Sequence, residues 1–177
     1  MRVLHLVRHA KSSWNETGGG DHERPLAPRG RKAAPAMARW MAENGVAPSL
    51  ILVSTARRCQ ETLALMRPCF PGRPQVMTES GLYLASAEDL LARLRRIDRG
   101  CDEAMLIGHN PGLHDLALLL AGHGAAADLA ALAVKFSTGA LASLSFDGEG
   151  RGEDWSALAR GGLRLMRFVR PGDLPEL

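Results

Sequence analysis

The 177-residue sequence predicts an α/β fold: a three-layer α/β/α sandwich around a mainly parallel, mixed central sheet. Three observations carry that expectation. Short apolar runs rich in strand formers alternate with stretches whose apolar residues recur at helical spacing, as strands joined by crossover helices do. Several of those runs end abruptly on polar or charged residues, at the edge where ligand crevices form in α/β sheets. The last third alternates with period two instead, which marks antiparallel strands and makes the sheet mixed. The length suits one core and no linker-like stretch interrupts it, so residues 1–177 are read as a single domain.

Val3-Leu4-His5-Leu6-Val7 reads as a buried strand that delivers Arg8 and His9 to its own C-terminal edge. Asn15 to Glu23, with Gly18-Gly19-Gly20, has the composition of a mobile loop over a site. From Arg31 to Asn44, Ala34, Met37, Ala38 and Met41 recur at helical spacing, and Asn44-Gly45 supplies the stop. Leu50-Ile51-Leu52-Val53 is a second strand, followed by Ser54-Thr55 and a helix through Met66 that ends before Pro68. Gln75-Val76-Met77 is a third short strand, and Ala87 to Ile97 places Leu90, Leu91, Leu94 and Ile97 on one helical face. Ala104-Met105-Leu106-Ile107 is a fourth strand, running into Gly108-His109-Asn110-Pro111-Gly112 and an apolar helix from Leu113 to Leu120. Ala125 to Val134 reads as helix, or helix plus loop, rather than low complexity. Ala140 to Phe146 and Leu163 to Val169 alternate, turn through Asp147-Gly148-Glu149-Gly150, and are expected as an antiparallel pair at the sheet edge.

Composition excludes several function classes. A formal charge of +3 favours anionic ligands slightly, but the arginines are scattered and aromatic residues are only 5%, which does not suit a nucleic-acid groove. No apolar run approaches the roughly 20 residues of a membrane span, and the N-terminus lacks a small-residue cleavage site. Cys59, Cys69 and Cys101 are odd in number and lack CxxC or metal-ligand spacing, so they are expected as free thiols in the cytoplasm. The six histidines lack HExxH spacing, so neither a metal nor another cofactor is expected. The chain is expected to be a monomer that touches neither nucleic acid nor membrane.

Three strand ends carry comparable groups: Arg8-His9 after the first, Ser54 with Arg57-Arg58 after the second, and His109 after the fourth. Parallel strands would gather all three at one edge, and arginines with histidines there suit a doubly charged anion such as phosphate. Asn110 as N-cap and Pro111 at the first helical position would put His109 beside the positive end of a helix. Phosphoryl transfer needs an in-line nucleophile and positive groups around the equatorial oxygens. A neutral histidine can be that nucleophile, through a phosphohistidine intermediate. His9 is the candidate, with Arg8, an arginine of the Arg57-Arg58 pair and His109 around the phosphoryl oxygens.

These residues resemble a known family. Leu6-Val7-Arg8-His9-Ala10 with Ser12 is similar to the signature of the histidine phosphatase superfamily, the phosphoglycerate mutase-like enzymes, in a variant with Ala where many members have Gly. Ser54-Thr55-Ala56-Arg57-Arg58-Cys59-Gln60-Glu61-Thr62 resembles the second motif, whose arginine stands four residues before a threonine, and so implies Arg58 as the phosphate ligand. Gly108-His109-Asn110-Pro111 resembles the third and implies His109 as the second catalytic histidine. Arg24-Pro25-Leu26 with Arg29-Gly30, Gly81-Leu82-Tyr83, and Thr138-Gly139-Ala140-Leu141 through Trp155 and Phe168 to Pro171 extend the likeness to short SixA-type phosphohistidine phosphatases. Thr55-Ala56 in place of Pro-Leu and Cys59-Gln60-Glu61 in place of Ala-x-Gln depart from the pattern around Arg58.

The resemblance implies a phosphoglycerate mutase-like fold and a metal-independent phosphatase acting on protein phosphohistidine. Larger members protonate the leaving oxygen with an acid, and Glu79 is the candidate here. A missing acid would matter little for phosphohistidine, since imidazole, with a conjugate-acid pKa of about 6.5, leaves phosphorus more easily than an alcohol. Ser12, Arg24 and Asn110 are candidate phosphate-binding residues. His5, His22, His114 and His123 have no motif match and are read as structural or exposed. The alternatives are a broad small-molecule phosphomonoesterase of the same superfamily and a non-catalytic module that binds phosphoproteins. The partner is accordingly a phosphorylated protein or a small phosphorylated molecule.

Overall fold

The computed structural model of the chain describes residues 1–14, 20–146 and 154–174. The first half alternates as its periodicity predicts: β1 (Val3–Arg8), α1 (Pro28–Glu43), β2 (Leu50–Ser54), α2 (Arg57–Met66), β3 (Gln75–Glu79), α3 (Ala87–Leu94), β4 (Glu103–Gly108) and α4 (Gly112–Leu120). After these come β5 (Ala121–Gly124), α5 (Ala126–Val134), β6 (Leu141–Phe146) and β7 (Leu163–Val169). These strands form one sheet of order β3-β2-β4-β1-β6-β7-β5. β1 and β2 both run parallel to β4, which lies between them, and β3 runs parallel to β2. Only β6 is antiparallel to its neighbours, β1 and β7.

Side-chain alternation sorts the core into two layers. Leu4, Leu6, Leu50, Leu52, Ala104 and Leu106 point to the face covered by α3, α4 and α5. Val7, Ile51, Val53, Met105 and Ile107 point to the face covered by α1 and α2. Both faces of the central strands are therefore apolar, which is why these strands read as continuous runs. Burying each such Leu or Ile contributes about 1.5–3 kcal/mol.

Three expectations change. The pair β6 and β7 is antiparallel, but it is not the sheet edge: β6 lies inside against β1, and the edge is β5, a strand the sequence does not announce. Ala-Gly-His-Gly has no alternating apolar signal. Its glycines serve close backbone approach, since a Cβ on Gly122 would lie 2.0 Å from the Gly161 carbonyl oxygen. Helix α1 starts before Arg31, because Pro28 suits the first helical position. Helix α3 ends at Leu94, and Ile97 donates its N–H to the Leu94 carbonyl at 3.1 Å in a tighter turn that still buries its side chain. The turn expected at 147–150 and residues 15–19 of the glycine-rich stretch lie outside the described residues.

Candidate active site

The sheet order brings the three strand ends side by side. Arg8 at the end of β1 is in register with Gly108 at the end of β4, and β2 ends at Ser54 on the other side of β4. Backbone bonds fix the turn after β1: His9 N–H donates to Gly108 O at 3.1 Å, and Gly139 N–H reaches the carbonyls of Arg8 and His9, each at 3.0 Å. Gly139 adopts φ +77°, a left-handed conformation that glycine takes without penalty. The spacing of Arg58 and Thr62 also finds its reason. Thr62 Oγ1 donates to the Arg58 carbonyl at 2.6 Å and accepts the Ala10 N–H at 3.0 Å, tying α2 to the residue after His9.

The result is a pocket of about 190 Å³ lined by Arg8, His9, Ser12, Arg24, Arg58 and His109, with Lys11, Asp21 and Asn110 around them. His9, Arg58 and His109 are almost wholly buried. The two imidazole centroids lie 5.3 Å apart. Buried polar atoms without a hydrogen-bond partner among the described residues include Nε of Arg8, Arg24 and Arg58. Each such donor costs about 1–3 kcal/mol, and an oxyanion in the pocket offsets that cost. Among the described residues no group of three or more His, Cys, Asp or Glu side chains forms a metal site.

The histidine tautomers follow from their partners. His9 Nδ1 lies 2.7 Å from the Ala10 carbonyl oxygen, which only accepts, so Nδ1 carries the proton and Nε2 is left with a free lone pair. Burial, with smaller contributions from His109, Arg58 and Arg8, pushes the His9 pKa down to about 3, although the Ala10 bond opposes this. His109 Nδ1 accepts from Arg58 Nη2 at 3.2 Å, so its proton sits on Nε2, which donates to Ser54 Oγ at 2.8 Å. Burial and then Arg58 lower the His109 pKa to about 4. Both rings are neutral near pH 7. Burial, then Arg58, also lowers the pKa of Arg8 and of Arg24.

Of the sequence candidates, Arg8, His9, Ser12, Arg24, Arg58, His109 and Asn110 are brought together. Ser12 Oγ accepts from Arg24 Nη2, so these two residues meet as a pair on the pocket wall. Arg57, by contrast, is exposed and donates to Glu61 at 2.8 Å, which leaves Arg58 as the buried arginine of the pair. Two expectations are corrected. Glu79 is not delivered to the pocket: at the end of β3 its carboxylate is gripped by Arg93, with Nε to Oε2 at 2.8 Å and Nη2 to Oε1 at 2.7 Å. Asn110 does not cap α4, because the cap position falls on Pro111, and its Nδ2 donates instead to Phe136 O at 3.0 Å. Gly112 sets that helix start, since a Cβ there would lie 1.9 Å from the Ala85 carbonyl oxygen. His22 Nε2 meets Thr55 Oγ1 at 3.0 Å, and His5 bridges Ser143 and Glu103, each at 2.9 Å. His114 donates to Leu132 O at 2.7 Å, and His123 is exposed.

Sequence reasoning missed Asp21. Its Oδ2 accepts from Arg58 Nη2 at 3.0 Å and from the Tyr83 hydroxyl at 2.6 Å, and its carbonyl accepts from Arg58 Nη1 at 2.7 Å. The Tyr83 hydroxyl, with Arg58 and Arg24, holds this carboxyl below its ordinary range against partial burial. An acid in a glycine-rich loop, one of three with Glu16 and Glu23, carries no periodic signal. Its spacing of three before Arg24, whose guanidinium lies 3.5 Å from Asp21 Oδ1, is the one available hint. Leu84, at φ +49°, is held in the left-handed region at the pocket wall, a conformation unfavourable for a bulky side chain and common at functional sites.

Comparison with known proteins agrees with this geometry. A family model described as histidine phosphatase superfamily (branch 1) matches residues 4–82. The uncharacterized protein Rv1276c of Mycobacterium tuberculosis is 32% identical over 167 residues, covering 93% of this chain and 99% of its own. The solved structure of a protein named as a phosphohistidine phosphatase SixA from Nakamurella multipartitia is 27% identical, covers 96% of both chains and superposes with a TM-score of 0.81. A second, from Agrobacterium tumefaciens, is 29% identical, covers 96% of this chain and 98% of its own, and gives 0.77. With two histidines and two arginines on adjacent parallel strand ends and in the helix after β2, on a phosphoglycerate mutase-like α/β fold, the chain belongs to the histidine phosphatase superfamily and is a phosphatase of SixA-like type.

Proposed function

We propose that this phosphatase removes the phosphoryl group from histidine on a protein, through a phosphohistidine formed at His9. The observation that carries the substrate assignment is the state of the carboxylates. Among the described residues Asp21 is the carboxylate in the pocket and is held ionised by Tyr83 and Arg58, while Glu79 is held away by Arg93. Neither is poised to protonate a leaving alcohol. An imidazole leaves phosphorus without such help, because its conjugate acid has a pKa of about 6.5.

The lone pair on His9 Nε2 attacks phosphorus, and the P–N bond to the substrate breaks with its electron pair passing to the departing imidazole, which takes a solvent proton if it does not already carry one. Water then attacks the phosphoryl group, the Nε2–P bond returns its pair to His9, and the water proton passes to solvent. Arg8, Arg24 and Arg58 present their unpartnered Nε donors to the phosphoryl oxygens. His109, neutral at rest, gives up the Arg58 bond at Nδ1 as the dianion raises its pKa, gains a proton there and donates it to the same oxygens. Trp14 and Leu84, large apolar residues exposed on the pocket wall, suit a protein surface carrying the phosphate. The three cysteines are free thiols, as a cytoplasmic enzyme's would be.

A panel of matched N-linked and O-linked phosphopeptides under identical conditions tests this reading. Preference for the N-linked series, with acid-labile, base-stable phosphate trapped on wild type and absent from His9→Ala, is the expected outcome. Preference for O-linked substrates overturns the substrate assignment, and turnover by His9→Ala overturns the mechanism.

A further inference from the structure

The phosphate pocket opens into a larger groove of about 660 Å³ that shares Arg8, Lys11 and Thr138 with it and continues past Arg29, Lys135 and Arg170. Among the described residues its charge is one-sided. The acid that lines it, Asp173, is closed on Arg170 through contacts of 3.0 and 2.8 Å. Lys11, Arg29 and Lys135 are exposed and have no carboxylate partner among the described residues.

Both walls are anchored to the phosphate site. The Lys11 carbonyl accepts the Ala27 N–H at 2.8 Å, and a Cβ on Gly30 would lie 2.1 Å from the same oxygen, so Lys11 is seated on the first turn of α1, which also bears Arg29. Lys135 precedes buried Phe136, whose carbonyl accepts from Arg8 Nη1 at 2.9 Å and from Asn110 Nδ2 at 3.0 Å. The cations are thus held along a path that starts at the reacting phosphorus. A fixed second phosphate would call for converging, buried donors such as those of the first pocket. Exposed lysines and arginines strung along an open groove suit an extended anion, which they attract and orient without desolvating.

We propose that this groove takes an acidic polypeptide segment flanking the phosphorylated histidine, so that the enzyme selects phosphohistidines with aspartate and glutamate neighbours. The assignment rests on the protein-phosphohistidine reading and adds the sequence context that the site prefers.

Four peptides test it, acidic-flanked or neutral-flanked and each phosphorylated on nitrogen or on oxygen, with wild type and Arg29→Glu/Lys135→Glu. At low salt the wild type should favour the acidic flank in kcat/KM by about tenfold, an electrostatic preference that shrinks as salt rises. The double variant should lose or invert that preference while hydrolysing free phosphohistidine as wild type does, which also reports that it is folded. No flank preference in the wild type overturns the proposal, and so does an equal loss on peptides and free phosphohistidine. A variant that is impaired only on a small bisphosphorylated compound overturns it in favour of a second phosphoryl group. If O-linked peptides are preferred but the flank effect and its loss persist, the phosphohistidine reading fails and the groove assignment stands.

Discussion

A histidine held neutral by its surroundings must leave a mark on the pH dependence of folding, and His9→Gln isolates it. In the unfolded chain a histidine takes up a proton near pH 6.5. In the folded protein, burial and the neighbouring His109, Arg58 and Arg8 keep His9 neutral down to about pH 3. Between those values the unfolded state binds one more proton than the folded state. Stability therefore falls as pH falls, by about 1.36 kcal/mol per unit for each such group. Acidification from pH 8 to 5 costs about 2 kcal/mol through His9. His109, neutral down to about pH 4, adds a similar slope over that range. Glutamine is polar and cannot titrate, so the variant keeps the His109 contribution and loses that of His9. Urea unfolding across this range should show the wild type losing about 2 kcal/mol more than the variant. The absolute cost of repacking glutamine drops out of that difference. Parallel profiles, or a His9 ring that titrates near pH 6.5 by NMR in the folded protein, would refute the argument that burial holds this ring neutral.

Other substitutions probe the rest of the site. Asp21→Asn removes a part-exposed carboxylate that occupies Arg58; with about 1 kcal/mol at stake, inhibition by orthophosphate should tighten about fivefold, whereas weaker inhibition would show that Asp21 positions Arg58 instead. Arg58→Ala should lower kcat/KM by about 10²–10³, while Arg57→Ala, removing only an exposed pair with Glu61, should change it less than about twofold. Gly30→Ala pushes a methyl group against the Lys11 carbonyl and should cost about 3 kcal/mol in urea unfolding; an unperturbed midpoint would mean that the contact yields freely. Glu79→Gln should cost about 1 kcal/mol of stability and leave turnover of N-linked substrates intact, and a large fall in that turnover would return Glu79 to the chemistry.

The strands and the basic residues that line the pocket were legible in the sequence because their signals are local. Leu50 to Val53 and Ala104 to Ile107 are apolar on both faces, which marks interior parallel strands, and Arg8-His9, Arg58 and His109 follow at or just beyond strand ends. Once β1, β2 and β4 are parallel neighbours, convergence of those residues is a geometric necessity. β5 was illegible, because Ala-Gly-His-Gly becomes a strand only when β7 offers its edge. Asp21 and Glu79 show the same limit from opposite sides. One looked like an ordinary loop acid and lies on Arg58; the other looked like a catalytic acid and is taken by Arg93.

The sequence alone determined the fold class and set Arg8-His9, the Arg57-Arg58 pair and His109 where they could meet a phosphate, because strand periodicity and residue type at strand ends are properties of short segments; the choice of Arg58 within the pair came from the family resemblance. The tertiary structure alone decided the protonation of His9 and His109, the partners of the two carboxylates and the cationic groove beside the pocket. Burial, electrostatic neighbours and shared surfaces arise only when distant segments pack together, as when Ala10 meets Thr62 and Lys11 meets Gly30.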